Sequence, residues 1–239
     1  MTKSKHPPVG KCVHCLCDNV PRNWDHVFPK SWYPDTTPTN MAKWKIPSCY
    51  KCNTEYGALE EDLWRRLACC VDPNAAAASG IYPKVLRSMD ARHASNPNES
   101  HSRIVKRNKL LAEMRHGDEI PQDGIYPGLG ERWNRQRVDQ IAITIPANSF
   151  RRLTEKIVRG VYFIEDKRFI ESPYAINFYA VEDEGAAEIK GLLNRFATEF
   201  ARGPGILINR AVTPEDGVSA IISIEVWGAV KMYATLMSN

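Results

Sequence analysis

Two cysteine pairs at the same short spacing, Cys12-Val-His-Cys15 and Cys49-Tyr-Lys-Cys52, constrain this chain more than anything else in it. Two residues between cysteines let both thiolates converge on one ion from a tight turn, and two such turns complete a tetrahedral four-sulfur site. Thiolate softness selects zinc over magnesium or calcium there. Cys17 and His14 compete with Cys15 as ligands, and symmetry with the second pair favours Cys15. Cys69 and Cys70 fall on a predicted helix and read as small buried apolar residues. A disulfide scaffold is not expected. The chain reads as soluble and cytoplasmic, where thiols stay reduced. Its charged start lacks the apolar region of a secretory signal, and no apolar run reaches the roughly 18 residues of a membrane helix.

At 239 residues, with 43% hydrophobic and 25% charged residues, the chain can bury a real core, which excludes wholesale disorder. Net charge is +4, unevenly distributed. Residues 1–60 carry eight Lys/Arg against five Asp/Glu, residues 101–170 fourteen against nine, and residues 171–239 five against nine. Positive charge therefore lies in the first 170 residues, as a polyanion-binding surface requires. A solvated basic face is the plainer alternative.

Between the cysteine pairs lies Asp25-His26-Val-Phe-Pro-Lys30, and Asn53 directly follows the last cysteine. Asp25 offers a hard carboxylate oxygen suited to Mg²⁺ or Mn²⁺. His26 offers an imidazole able to take a proton from water near neutral pH. Asn53 offers a second hard oxygen, which zinc closure would draw towards Asp25. Such a set suits phosphodiester hydrolysis.

The stretch from Cys12 to about Asp62 resembles the HNH endonucleases, the ββα-metal or His-Me finger nucleases, in the subgroup stapled by zinc. The resemblance implies a ββα fold and metal-dependent cleavage of nucleic acid, with DNA as the expected substrate. It makes His26 the general base, Asp25 and Asn53 the ligands of a catalytic Mg²⁺ or Mn²⁺, and Asn40 the brace of the hairpin. Many members carry histidine where this chain has Asn53. Cys12, Cys15, Cys49 and Cys52 would hold structural zinc. Lys30 is a candidate phosphate contact. The rival reading is a non-catalytic zinc module that binds nucleic acid or protein.

A helix is predicted over 54–70, with Leu59, Leu63, Trp64 and Leu67 on one face. Glu55 and Glu60 on it are expected to face solvent. Further helices are predicted over about 83–93 and 101–116, the second carrying Arg103, Lys106 and Arg107 as candidate nucleic-acid contacts. Residues 118–136 read as a loop, in which Trp133 among arginines could stack on nucleic acid. Beyond it the pattern gives strands at 139–145, 174–181, 206–209, 218–227 and 230–236. Helices fall at 150–162, capped by Ser149, and at 185–201. The expected architecture is α+β with an antiparallel sheet. Its expected parts are an HNH module at 1–72, a linker region with a basic helix at 73–136, and an accessory domain at 137–239. The acidic accessory part is the expected surface for self-association or a partner subunit.

Overall fold

The computed structural model describes residues 6–121, 136–179, 186–201 and 203–239. Trp133, considered above for stacking on nucleic acid, lies outside the described residues, as do Arg132 and Arg135 beside it.

Strand β1 (Arg22–His26) pairs antiparallel with β2 (Lys45–Cys49), in a register running from Arg22 opposite Cys49 to His26 opposite Lys45. Helix α1 (Tyr50–Cys69) leaves β2 without a loop. It begins four residues before the predicted start because the second cysteine pair is itself the first helical turn. Cys49 caps it, its Sγ accepting a hydrogen bond from the Cys52 amide at 3.4 Å. Helices α2 (Ile81–Met89) and α3 (Pro97–Ala112) follow. Asn96 caps α3 by accepting from the Glu99 amide, and Pro97 fits its first turn, where a missing amide hydrogen costs nothing. Strand β3 (Met114–His116) pairs with β4 (Ile141–Ile143).

Helix α4 (Ala147–Glu165) is capped by Pro146 with no side-chain bond, so Ser149 lies inside the helix and is not its cap. A five-stranded antiparallel sheet completes the fold, in the order β5-β9-β8-β7-β6. Its strands are β5 (Tyr174–Tyr179), β6 (Thr198–Ala201), β7 (Ile206–Val212), β8 (Ala220–Val226) and β9 (Val230–Ser238). Helix α5 (Ala186–Phe196) precedes β6. The helix predicted over 185–201 thus ends early, and its last residues become a strand. Thr198 to Ala201 pair with Arg210 to Leu207, so backbone pairing to a distant strand overrides the helical spacing of Phe196 and Phe200. The architecture is α+β with antiparallel sheets.

One hydrophobic cluster runs from Val13 to Leu236 and takes residues from all three expected segments. Strand β8 buries Ala220, Ile222, Ile224 and Val226 on one face, and α4 buries Leu153, Ile157 and Val161. Two contacts join the sheet and α4 to the β1–β2 unit. Trp227 packs on Trp32 with ring centroids 5.3 Å apart, and its Nε1 donates to the Trp32 carbonyl at 2.7 Å. Trp227 holds the left-handed backbone conformation, φ 56°, in the β8–β9 turn, a strained position for a bulky side chain. Gly160 of α4 lies so close to β1's continuation that an added Cβ would come 2.7 Å from a Val27 methyl. No described helix is long and apolar enough to cross a membrane.

The Gly160–Val27 contact sets the spacing between α4 and the hairpin. Gly160→Val should cost about 1–3 kcal/mol through overpacking. Val27→Ala should return part of that loss in the double variant, because it removes the opposing methyls. Denaturant melts of the four proteins give the coupling, and strictly additive costs would refute the contact.

Candidate functional site

The first cysteine pair sits in a tight loop. The Cys12 amide donates to the Cys17 carbonyl and the Leu16 amide to the Cys12 carbonyl, both at 3.0 Å, with Leu16 left-handed at φ 63°. The Val13 amide donates to the Pro47 carbonyl at 3.2 Å and the Cys49 amide to Cys12 Sγ at 3.3 Å, which stitches the loop to β2. The ligand atoms of Cys12, Cys15, Cys49 and Cys52 all lie within 4.8 Å of one another. Cys15 Sγ and Cys49 Sγ are 3.8 Å apart. A tetrahedron with metal–sulfur bonds of about 2.3 Å has sulfur–sulfur edges of about 3.8 Å, so the set fits a metal such as zinc.

Without a cation, burial opposes ionisation of Cys49 and Cys52. Burial pushes both thiols up; the neighbouring sulfurs add to it at Cys52, whereas at Cys49 the hydrogen bonds of Cys52 pull against it. For Cys15 burial acts in the same direction, yet hydrogen bonds from Cys17, Cys12 and Cys52 draw it down to about 7. A bound divalent cation reverses that opposition, since a coordinated thiol is deprotonated. Cys17 is exposed and outside the cluster. Cys69 and Cys70, expected to be buried, are half-buried; their thiols donate to the Arg65 and Arg66 carbonyls one turn earlier on α1.

His14 is not a ligand of this cluster. Its Nε2 lies 2.9 Å from Asp25 Oδ2, and its ring packs on Tyr56 at 4.6 Å between centroids. A carboxylate only accepts, so Nε2 carries the hydrogen and Nδ1 is the bare nitrogen, buried without a partner among the described residues. Burial holds His14 below its ordinary pKa, so the ring is neutral. Asp25 is 5% exposed. Its Oδ1 accepts from Lys156 Nζ of α4 at 3.1 Å. Burial raises the carboxyl, but the His14 hydrogen bond and the Lys156 charge overcome it and hold Asp25 below its usual value.

Lys156 has no exposed surface. It also donates to the His26 carbonyl at 2.7 Å and to the Glu60 carboxylate. Glu60, expected to face solvent, is therefore a buried acid, at 6% exposure. The physical reason is its partner, a lysine 96 positions along the chain that neutralises it. Burial raises Glu60 to about 7, against the pull of Lys156. Glu55 does lie at the surface, 3.3 Å from Arg152.

His26 ends β1 opposite Lys45. Strand alternation places it on the other side of the hairpin from Asp25. It is half-buried, with Nε2 enclosed and unpartnered among the described residues. Burial, then the Lys45 and Lys30 charges, bring it down to about 4, so it is neutral at pH 7. Asn53 is half-buried in the first turn of α1, next to Cys52. Asn40 is exposed in the turn closed by the Met41 amide on the Pro38 carbonyl. No hydrogen bond joins its side chain to the hairpin among the described residues. Lys30 is exposed. Arg103 is engaged by Glu99 at 2.7 Å and by the Arg87 carbonyl at 2.5 Å, and Lys106 by Glu61 at 2.7 Å. Of the three candidate contacts on α3, Arg107 alone is classed as exposed.

The divalent ion implied at Asp25 and Asn53 does not fit the site as folded, because protein donors engage both Asp25 oxygens and one donor is itself a cation. Lys156 was missed in the sequence. The one local hint is its position three residues after Leu153 and four before Gly160, at the edge of a buried helical face.

Metal analysis of the purified chain should find one zinc. Cys49→Ser should lose it and lower the melting temperature. Glu60 supplies a pH test. Its pKa is raised on folding from 4.5 to about 7. Stability from this group is therefore full below pH 4.5 and lost as pH rises through about 7. The melting temperature of the native protein, relative to Glu60→Gln, should fall between pH 5 and 8; a constant difference would contradict the assignment.

Set against known proteins, the chain matches no family model, no curated protein and no solved structure.

Proposed function

We propose that the chain is a zinc-stapled endonuclease of the HNH kind that hydrolyses phosphodiester bonds in nucleic acid, with His26 accepting the proton of the attacking water. The observation that carries this reading is the placement of His26. It ends β1 of a β1–β2–α1 unit whose base is gathered by four cysteines able to hold a metal. Its imidazole is neutral at pH 7, the form that can take a proton. Lys45 across the hairpin and exposed Lys30 give the same region positive charge for an anionic phosphate. In the reaction the water oxygen bonds to phosphorus and its proton passes to His26, while the bond from phosphorus to the ester oxygen breaks and that oxygen takes a proton from solvent. DNA is the substrate proposed. Mg²⁺ or Mn²⁺ is a variable of the assay and has no assigned place in the site.

One observation favours a second reading, a zinc module that binds nucleic acid or protein without cutting. Asp25, the carboxylate expected to face a catalytic ion, is closed by Lys156 and His14.

The test is supercoiled-plasmid cleavage by the full chain with Mg²⁺, with Mn²⁺ and with EDTA. His26→Ala should lower the rate at least about 100-fold while zinc content and melting temperature stay within error of the native values. A native protein that retains DNA but leaves it intact under every metal condition would favour the second reading. Equal loss of folding and cutting in the variant would undo the role of His26.

A further inference from the structure

Helix α4 brings to the hairpin a charge that the hairpin lacks. The Lys156 ammonium is fully buried, and a cation in that setting persists only when anions and hydrogen-bond acceptors surround it. Three protein oxygens do so: Asp25 Oδ1 at 3.1 Å, the His26 carbonyl at 2.7 Å, and Glu60 Oε1. An ammonium has three hydrogens, so each has an acceptor. The remaining Asp25 oxygen is taken by His14. Two carboxylates from different elements thus face one cation, which does for them what a bound metal ion does elsewhere. It offsets one of their two negative charges and fixes how far apart they stand.

We propose that Lys156 is the resident cation of this site: it stands where a divalent ion would have to reach Asp25, which makes Asp25 a structural carboxylate and not a metal ligand. Lys156 also holds the His26 carbonyl. The inference borrows from the nuclease reading only the expectation it corrects. The cluster has the same meaning in a protein that cuts nothing.

The ammonium is poorly placed to yield. The helix that carries it is buried at Leu153, Ile157 and Val161, and Gly160, one turn on, is in contact range of Val27. Withdrawing Lys156 would leave Asp25 and Glu60 buried and uncompensated, and their mutual repulsion is what a divalent ion would then relieve.

The experiment is calorimetric titration of Mn²⁺ into the full, zinc-loaded chain, with no nucleic acid and no cleavage readout. Asp25→Asn keeps the side chain's shape, and its Mn²⁺ affinity should stay within about twofold of the native protein. Lys156→Met keeps most of the bulk and removes the charge. It leaves the two carboxylates of Asp25 and Glu60 without their cation, so Mn²⁺ affinity should rise at least tenfold. That gain should vanish in Lys156→Met/Asp25→Asn. A tenfold or greater loss of Mn²⁺ affinity in Asp25→Asn alone would overturn the proposal, as would a folded Lys156→Met whose affinity is unchanged. If Lys156→Met does not fold, the Asp25→Asn comparison decides alone. Absence of plasmid cleavage by the native protein would sink the nuclease reading and leave these titrations as they stand.

Discussion

A lysine with no exposed surface joins three elements that are far apart in sequence. Asp25 lies on β1, Glu60 on α1 and Lys156 on α4. Breaking such a pair by removing one partner is costly, since the other charge stays buried, whereas a surface pair contributes little. The geometry of the hairpin follows from this. The His26 carbonyl is held by the same ammonium, and the zinc-side loop is tied in through His14 on the far oxygen of Asp25. The cysteine loop and helix α4 therefore meet on one carboxylate of β1, one at each oxygen.

The cysteine cluster does a different job. It gathers the start of the chain, the end of β2 and the first turn of α1, segments whose own buried cluster comprises Cys12, Cys52 and Tyr56, with Val20 and Cys49 packed against it. So small a cluster buries little on its own, and a metal held by the four sulfurs would staple it. The larger apolar cluster is shared with α4 and the five-stranded sheet, through Trp32 on Trp227 and Val27 against Gly160. The segments drawn from composition and loop content are crossed by that common core.

What could be read from the sequence was what local spacing encodes. The cysteine pairs announced their cluster because a metal turn needs ligands two residues apart. Helix α4 was legible from Leu153, Ile157 and Val161, and β8 from its alternation. The ion cluster was not legible, because its pairs span 131 and 96 positions and no local pattern links a lysine on α4 to acids on β1 and α1. The same limit misplaced Glu60, whose neighbours in sequence resemble those of a surface acid. Helix periodicity also ran through residues 198–201, where only pairing with β7 makes a strand. Arg103 and Lys106 read as phosphate contacts from sequence alone, whereas the fold pairs them with Glu99 and Glu61.

The bond from Trp227 to Trp32 spans 195 positions and has a consequence for how the protein is made. A ribosome adds about 5–20 residues per second, so roughly 10–40 seconds separate the synthesis of the two tryptophans. Through most of that interval the four cysteines already exist, while the sheet that completes the shared core does not. The nascent chain thus presents reactive thiols before it has a finished core. A metal captured by the cysteine cluster at that stage would protect them, so the order of synthesis favours binding before the fold is finished.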